Sequence, residues 1–167
     1  GVIKVEDDVK SVIPFNYKNI SKLKDYFMAE TSGNTYLLIN NTGNKESEEF
    51  GSKIVDYSGK YLKTEDNKVY GFDRTEISKE EYLYVELKED YYVVINKDKK
   101  LDIKKYNDTS FKLRNPIDIG DTTDYSNAFE VSKSTSNYII KIKSTGSTIN
   151  VPLTGDNTTS TAPEGNE

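Results

Sequence analysis

The sequence lacks histidine, cysteine and tryptophan over its 167 residues. Without histidine it has neither the usual general base near neutral pH nor the commonest ligand of transition metals. Without cysteine it can form no disulfide, no thiolate nucleophile and no zinc–thiolate centre. These absences exclude Ser-His-Asp and Cys-His catalysis and most zinc sites.

Positive charge is in deficit, because 23 Lys and Arg stand against 28 Asp and Glu and give a net charge of -5. Nucleic-acid binding needs a basic patch, so we expect no nucleic-acid partner. No apolar run is long enough to span a bilayer, and the opening residues are too acidic for a signal peptide. Gly1 without a methionine indicates a trimmed start, so membrane contact is expected only through a missing N-terminal segment. The absence of thiols favours an extracellular location.

The first 32 residues carry apolar side chains mostly three and four positions apart, which is typical of one stripe of a helix. The stripe consists of Val2, Val5, Val9, Val12, Ile13, Tyr17, Ile20, Leu23 and Phe27. Gly33 would end this helix. Pro14 either bends one continuous helix or starts a second one, and the unbroken phase of the stripe favours one kinked helix.

After Gly33 the apolar period changes to two, which predicts strands. The clearest hairpin runs from Glu81 to Asn96, and a second pair joins 128–131 to 137–143. No internal repeat is evident. We therefore predict an α+β fold, in which a long kinked N-terminal helix packs on an antiparallel β-sheet. Residues 1–153 would form a single domain, with the helix over 1–32 and the sheet and loops over 35–153, and residues 154–167 a flexible polar tail.

Acidic residues are the remaining candidates for chemistry, but most of their pairs are sequence neighbours in polar turns. The exception is a glycine-containing loop with Asp118, Asp121 and Asp124, whose carboxylates could bind calcium. The loop lacks the residue order of an EF-hand, and an ordinary turn explains it as well. No nucleophile motif or phosphate loop is present, so we predict no enzyme activity, no catalytic residue and no cofactor.

The segment from Val151 to Gly155 reads x-P-x-T-G, which is similar to the sorting signal of Gram-positive cell-wall proteins. The twelve residues that follow it here contain no apolar span, so a strand ended by proline and glycine is the alternative interpretation.

Tyrosine is abundant, with 13 residues, and six of them fall in predicted strands or next to them. Their rings could stack on sugars, although packing within the sheet is the commoner role of such residues. The six are Tyr36, Tyr61, Tyr70, Tyr82, Tyr84 and Tyr92.

The predicted architecture resembles the type IV pilin superfamily, particularly the minor pilins and pseudopilins of Gram-positive bacteria. The resemblance rests on the stripe from Val2 to Phe27 with Pro14, and on the hairpin from Phe129 to Ile142. It implies a cell-surface filament subunit that acts in pilus assembly, adhesion or motility. Its partners would be other pilin subunits, contacted through the helix and loops. The alternative is a cell-wall-anchored adhesin or a carbohydrate-binding β domain with a glycan ligand.

Overall fold

The computed structural model describes residues 2–5, 9–13 and 17–158, and the side chains from residue 17 onward. Within these ranges the regular structure is β-sheet, apart from one 3-10 turn at Tyr125–Asn127. The strands are β1 (Val2–Val5), β2 (Val9–Ile13), β3 (Asn19–Leu23), β4 (Tyr26–Glu30), β5 (Tyr36–Ile39), β6 (Ile54–Ser58), β7 (Tyr61–Thr64), β8 (Val69–Gly71), β9 (Tyr84–Leu87), β10 (Tyr91–Ile95), β11 (Lys100–Lys105), β12 (Ile117–Asp118), β13 (Phe129–Lys133), β14 (Asn137–Ile142) and β15 (Ser147–Pro152).

The N-terminal region corrects the predicted fold class, because the described residues between 2 and 30 form strands and no helix. Strands β1 and β2 pair antiparallel, and β3 and β4 form a hairpin with Lys24 and Asp25 in its loop. Val and Ile make up most of the apolar stripe, and β-branched side chains favour strands over helices. The fold is all-β rather than α+β. Pro14 and the predicted kink lie outside the described residues.

The resemblance to type IV pilins, which described the chain as the soluble part of a pilin without its apolar N-terminal half-helix, is therefore wrong. It depended on a long helix packed along the sheet, and the described residues hold only strands in that region. The part of the chain that the structure describes also contains no helix long and apolar enough to cross a membrane.

The sheets are consecutive meanders, in which neighbouring strands follow one another along the chain and pair antiparallel. After the β1–β2 pair come β3-β4-β5, β6-β7-β8, β9-β10-β11-β12 and β13-β14-β15. The hairpin predicted between Glu81 and Asn96 is confirmed as β9–β10, and the pair predicted around residues 132–136 is confirmed as β13–β14. A repeated meander is thus present in the structure although the sequence shows no repeat.

The chain divides into two compact units, Gly1–Ser78 and Lys79–Glu167. In the first unit the main core lies between the meanders β3-β4-β5 and β6-β7-β8, and in the second the meanders β9-β10-β11-β12 and β13-β14-β15 share one core. The first core consists of Met28, Leu38, Phe50, Ile54, Tyr57, Leu62 and Phe72. The assignment of residues 1–153 to one domain and of 154–167 to a tail stays a prediction, and residues 159–167 lie outside the described part.

Among the residues that the structure describes, five hairpin loops share one five-residue hydrogen-bond pattern. In each, the N–H of the first residue donates to the C=O of the fifth, and the N–H of the fourth donates to the C=O of the first. The fourth residue always has a positive φ, as in a type I turn followed by a G1 bulge. The five loops, which we call the bulged loops, are Thr31–Thr35, Asn40–Asn44, Thr64–Lys68, Gly71–Thr75 and Asn96–Lys100. Only Gly43 among the fourth residues is a glycine; the others are Asn34, Asn67, Arg74 and Lys99.

Replacing Lys99 with glycine is expected to stabilise the second unit. Lys99 has φ 64°, a left-handed conformation in which a Cβ costs about 1–2 kcal/mol of stability. Glycine removes this cost but loses about 0.5–1 kcal/mol, because its unfolded chain has more conformational freedom. The net gain of about 0.5–1 kcal/mol can be measured as a higher urea midpoint. Asp98→Gly is the control, because Asp98 lies in the same loop without a positive φ and should lose stability. A Lys99→Gly variant as unstable as Asp98→Gly would contradict the prediction.

Candidate functional site

A cleft of about 390 Å³ opens in the first unit. It is formed where the start of β7 lies beside the bulged loop that ends β8. Its walls are Lys60, Tyr61, Gly71, Phe72, Asp73, Thr75 and Ile77. The volume is within the range of clefts that bind small molecules.

Phe72 and Tyr61 form the aromatic wall of the cleft, and packing against other aromatic rings holds Phe72 in place. The Phe72 ring centroid lies 6.4 Å from that of Tyr26 and 6.2 Å from that of Tyr57, in both cases edge to face. The Phe72 N–H donates to the Lys60 carbonyl at 2.8 Å and its carbonyl accepts from the Glu48 N–H at 2.8 Å. Both the ring and the backbone of Phe72 are therefore fixed.

One ammonium group stands at the rim. Lys60 Nζ lies 5.5 Å from the Phe72 ring centroid and 3.8 Å from Glu46 Oε1. The Lys60 side chain is 74% exposed, so this ion pair is weak and the ammonium can turn toward a ligand.

The Asp73 carboxylate is the fixed polar group of the cleft. Its Oδ1 accepts a hydrogen bond from the Thr75 N–H at 3.0 Å. This bond, together with one from the Thr75 hydroxyl, holds the pKa of Asp73 below its ordinary value. Asp73 therefore stays ionised at mildly acidic pH and offers a charged acceptor beside an aromatic wall.

The second unit contains a buried polar cluster, formed by Tyr82, Tyr92, Asp102 and Lys104. Asp102 Oδ1 accepts from the N–H groups of Ile103 at 2.7 Å and Leu113 at 2.8 Å. Lys104 Nζ lies 3.7 Å from Asp102 Oδ2.

Burial governs the protonation of this cluster. Burial raises the pKa of Asp102 above its ordinary value, although the Leu113 N–H and Lys104 oppose the rise. Burial likewise raises the pKa of Tyr92 to about 12, so its hydroxyl stays protonated. Tyr82, hydrogen-bonded to Tyr92, also has a pKa raised by burial. The cluster is a satisfied internal network, and we assign it to stability.

The three candidate calcium ligands are not brought together. Asp118 Oδ1 accepts from the Gly120 N–H at 2.9 Å, while the Asp124 carboxylate accepts from the Ser126 hydroxyl at 3.1 Å and the Asn127 amide at 2.9 Å. Among the described residues no group of three or more acidic side chains is placed to hold a metal ion. The loop at 118–124 is a set of local turns.

The six tyrosines do not form one sugar-binding face. Tyr61 lines the cleft, and Tyr70 packs on Phe50 with ring centroids 5.1 Å apart. Tyr84 packs on Phe129 at 6.1 Å. Tyr36 borders the first core, while Tyr82 and Tyr92 are buried in the polar cluster. Packing is the role of most of them, and Tyr61 is the one that reaches the cleft.

The x-P-x-T-G segment is built into the fold of the second unit. Val151 is fully buried in β15 and pairs with Tyr138 of β14. Residues 155–158, which begin at the last residue of this segment, are held by two hydrogen bonds between the side-chain amide of Asn157 and the backbone of Asn115. Asn157 Oδ1 accepts from the Asn115 N–H at 2.8 Å, and Asn157 Nδ2 donates to the Asn115 carbonyl at 2.7 Å. We call residues 155–158, docked in this way, the C-terminal clasp. This geometry agrees with the interpretation of 151–155 as a strand end.

Sequence reasoning named Tyr61 as a candidate for sugar stacking but missed the other residues of the cleft. The sequence predicts short strands around Lys60 and Phe72, and the approach of these residues depends on how those strands pair. The available signal was local: an aspartate two residues before a threonine is typical of an Asx turn, in which the carboxylate is held by the backbone.

No protein-family model and no curated protein matches the sequence. Among solved structures, the computationally designed Ika4 protein is 8% identical, with 86% of this chain and 98% of that chain covered and a TM-score of 0.45. The designed Ika8 protein is 10% identical, covering 82% and 46%, with a TM-score of 0.44. The N-terminal domain of Nup159 is 8% identical, covering 75% and 38%, with a TM-score of 0.41. The chain spans less than half the length of the last two, and similarities this low carry no inference about function.

Proposed function

We propose that this chain is a non-catalytic, carbohydrate-binding β domain that acts outside the cell and holds its sugar in the cleft of the first unit. The observation that carries the proposal is the pairing of an aromatic wall, Phe72 and Tyr61, with the fixed carboxylate of Asp73. A sugar ring presents C–H groups on its face and hydroxyls at its edge, so it suits a site with an apolar wall and placed polar groups.

The charge of the cleft supports a neutral sugar. The carboxylate of Asp73 can accept from sugar hydroxyls, and the exposed ammonium of Lys60 can donate to them. One charge of each sign lines the cleft, so neither a strongly anionic nor a strongly cationic ligand is favoured. The absence of thiols from the sequence supports an oxidising, extracellular setting.

The role as a filament subunit stays a prediction without support from the fold, because it was built on the N-terminal helix. The carbohydrate-binding alternative needs no helix, and for this reason we prefer it.

The test is a titration of the 15N-labelled protein with a panel of neutral oligosaccharides, followed by NMR. The backbone signals of residues 60–61 and 71–77 should shift with one common dissociation constant. Asp73→Asn should weaken binding about tenfold, because an amide oxygen is a poorer acceptor than a carboxylate.

The matched control is Asp118→Asn, since Asp118 accepts the N–H two residues on in the same way but lies outside the cleft lining. It should bind like the wild type. If no sugar shifts the cleft signals, or if both variants bind equally well, the proposed function is wrong.

A further inference from the structure

The bulged loop at the cleft, Gly71–Thr75, closes differently from others of its kind. In the loops that begin at Asn40 and Asn96, the side-chain oxygen of the first residue accepts the N–H groups of the third and fifth residues. In the loop that begins at Thr31, the first residue's hydroxyl accepts the N–H of the fifth. In Gly71–Thr75 the first residue has no side chain, and the N–H of the fifth residue bonds instead to Asp73 Oδ1.

Space, rather than backbone conformation, explains the glycine at position 71. Its φ is not positive, so the backbone there is open to any residue. An added Cβ, however, would lie 2.7 Å from Asp73 Oδ1. The carboxylate of the third residue therefore occupies the space that a first-residue side chain would take.

We infer that Gly71 is the positioning residue of the cleft: by leaving this space open it lets the Asp73 carboxylate fold back onto Thr75 and face the ligand from one fixed position. The inference rests on the proposed function and deepens it. A carboxylate held in one place beside the aromatic wall favours ligands that present hydroxyls to it while their apolar face lies on the wall, as a sugar ring can. Gly71 is predicted to act through the position of the Asp73 carboxylate.

Gly71→Asn tests this inference with little risk to the fold, because it restores the first residue of the loops that begin at Asn40 and Asn96. The introduced amide oxygen should take over the N–H of Thr75 and release the Asp73 carboxylate. The first readout needs no ligand. It is the pKa of Asp73, from a 13C NMR titration of its carboxyl carbon, which should rise toward the ordinary value of about 3.9.

The second readout is sugar affinity, which should fall about tenfold, as for Asp73→Asn. Gly51→Asn is the control, since Gly51 lies in the same unit, has no positive φ, and an added Cβ there meets nothing within 4 Å. It should leave both readouts unchanged. An Asp73 pKa that stays the same in Gly71→Asn overturns the inference. A pKa that moves while the wild type binds no sugar supports the positioning role and overturns the proposed function.

Discussion

Asp102→Ala is expected to lower the free energy of unfolding by about 2–4 kcal/mol, because it removes the carboxylate oxygen that accepts two buried N–H groups. These groups belong to Ile103 and Leu113, and both bond to Asp102 Oδ1. Asp102 is 5% exposed, so little water can replace the carboxylate. The variant also leaves Lys104 with the exposed Glu80 as its ionic partner, at 3.4 Å. Urea unfolding of the full chain measures the loss.

Asp102→Asn is the matched comparison. An asparagine can keep its Oδ1 on the same two N–H groups, so it should stay within about 1 kcal/mol of the wild type. If alanine proves no more harmful than asparagine, the hydrogen bonds of Asp102 do not stabilise the fold as argued.

The difference in stability between the wild type and Asp102→Asn should depend on pH. Burial raises the pKa of Asp102 in the folded state above its value of about 3.9 in the unfolded chain. The folded protein then binds a proton more readily than the unfolded one, so this group favours folding most below the unfolded pKa. That contribution is lost as the pH rises through the folded pKa. The stability of the wild type relative to Asp102→Asn should therefore fall from pH 3 toward pH 7, and a constant difference would contradict the assignment.

Gly155→Ala is expected to destabilise the second unit by about 2–4 kcal/mol, since strain and overlap act together at this position. Gly155 has φ 79°, in the left-handed region. An added Cβ would lie 2.8 Å from the Lys112 carbonyl oxygen and 3.0 Å from Phe111 Cζ. The carbonyl is backbone and cannot turn aside, so the C-terminal clasp should loosen. Thermal unfolding and protease protection of residues 155–158 measure the effect.

Gly146→Ala separates strain from overlap. Gly146 has φ 72° in the same unit, but an added Cβ there meets nothing within 4 Å. It should cost only the conformational penalty of about 1–2 kcal/mol. Equal losses in the two variants would mean that the close approach to Lys112 does not matter.

The strands from β5 onward were largely predictable, because alternating burial leaves a period of two in the sequence. Strand β14 shows this most clearly: Tyr138, Ile140 and Ile142 are buried, and the residues between them are more exposed. The order of pairing within each meander follows from short connections between neighbouring strands.

The first 32 residues were mispredicted because their apolar spacing fits a helix as well as short strands separated by turns. The β3–β4 loop carries Lys24 at φ 57° instead of a glycine, so no turn signal marks it. The predominance of Val and Ile was the stronger signal. The cleft could not be predicted, since Lys60 and Asp73 line one cleft only after β7 and β8 have paired.

The bulged loops have a consequence for how such a chain can change over time. These loops are closed by backbone hydrogen bonds. Of the five residues in the fourth position of a bulged loop, only Gly43 is a glycine. The residues at these tips can therefore be exchanged while the strands keep their register. Gly71–Thr75 illustrates the point, because the acceptor of its fifth N–H belongs to the third residue instead of the first, and this loop lines the cleft. A fold of this kind carries several sites at which new surface chemistry can arise without rebuilding a core.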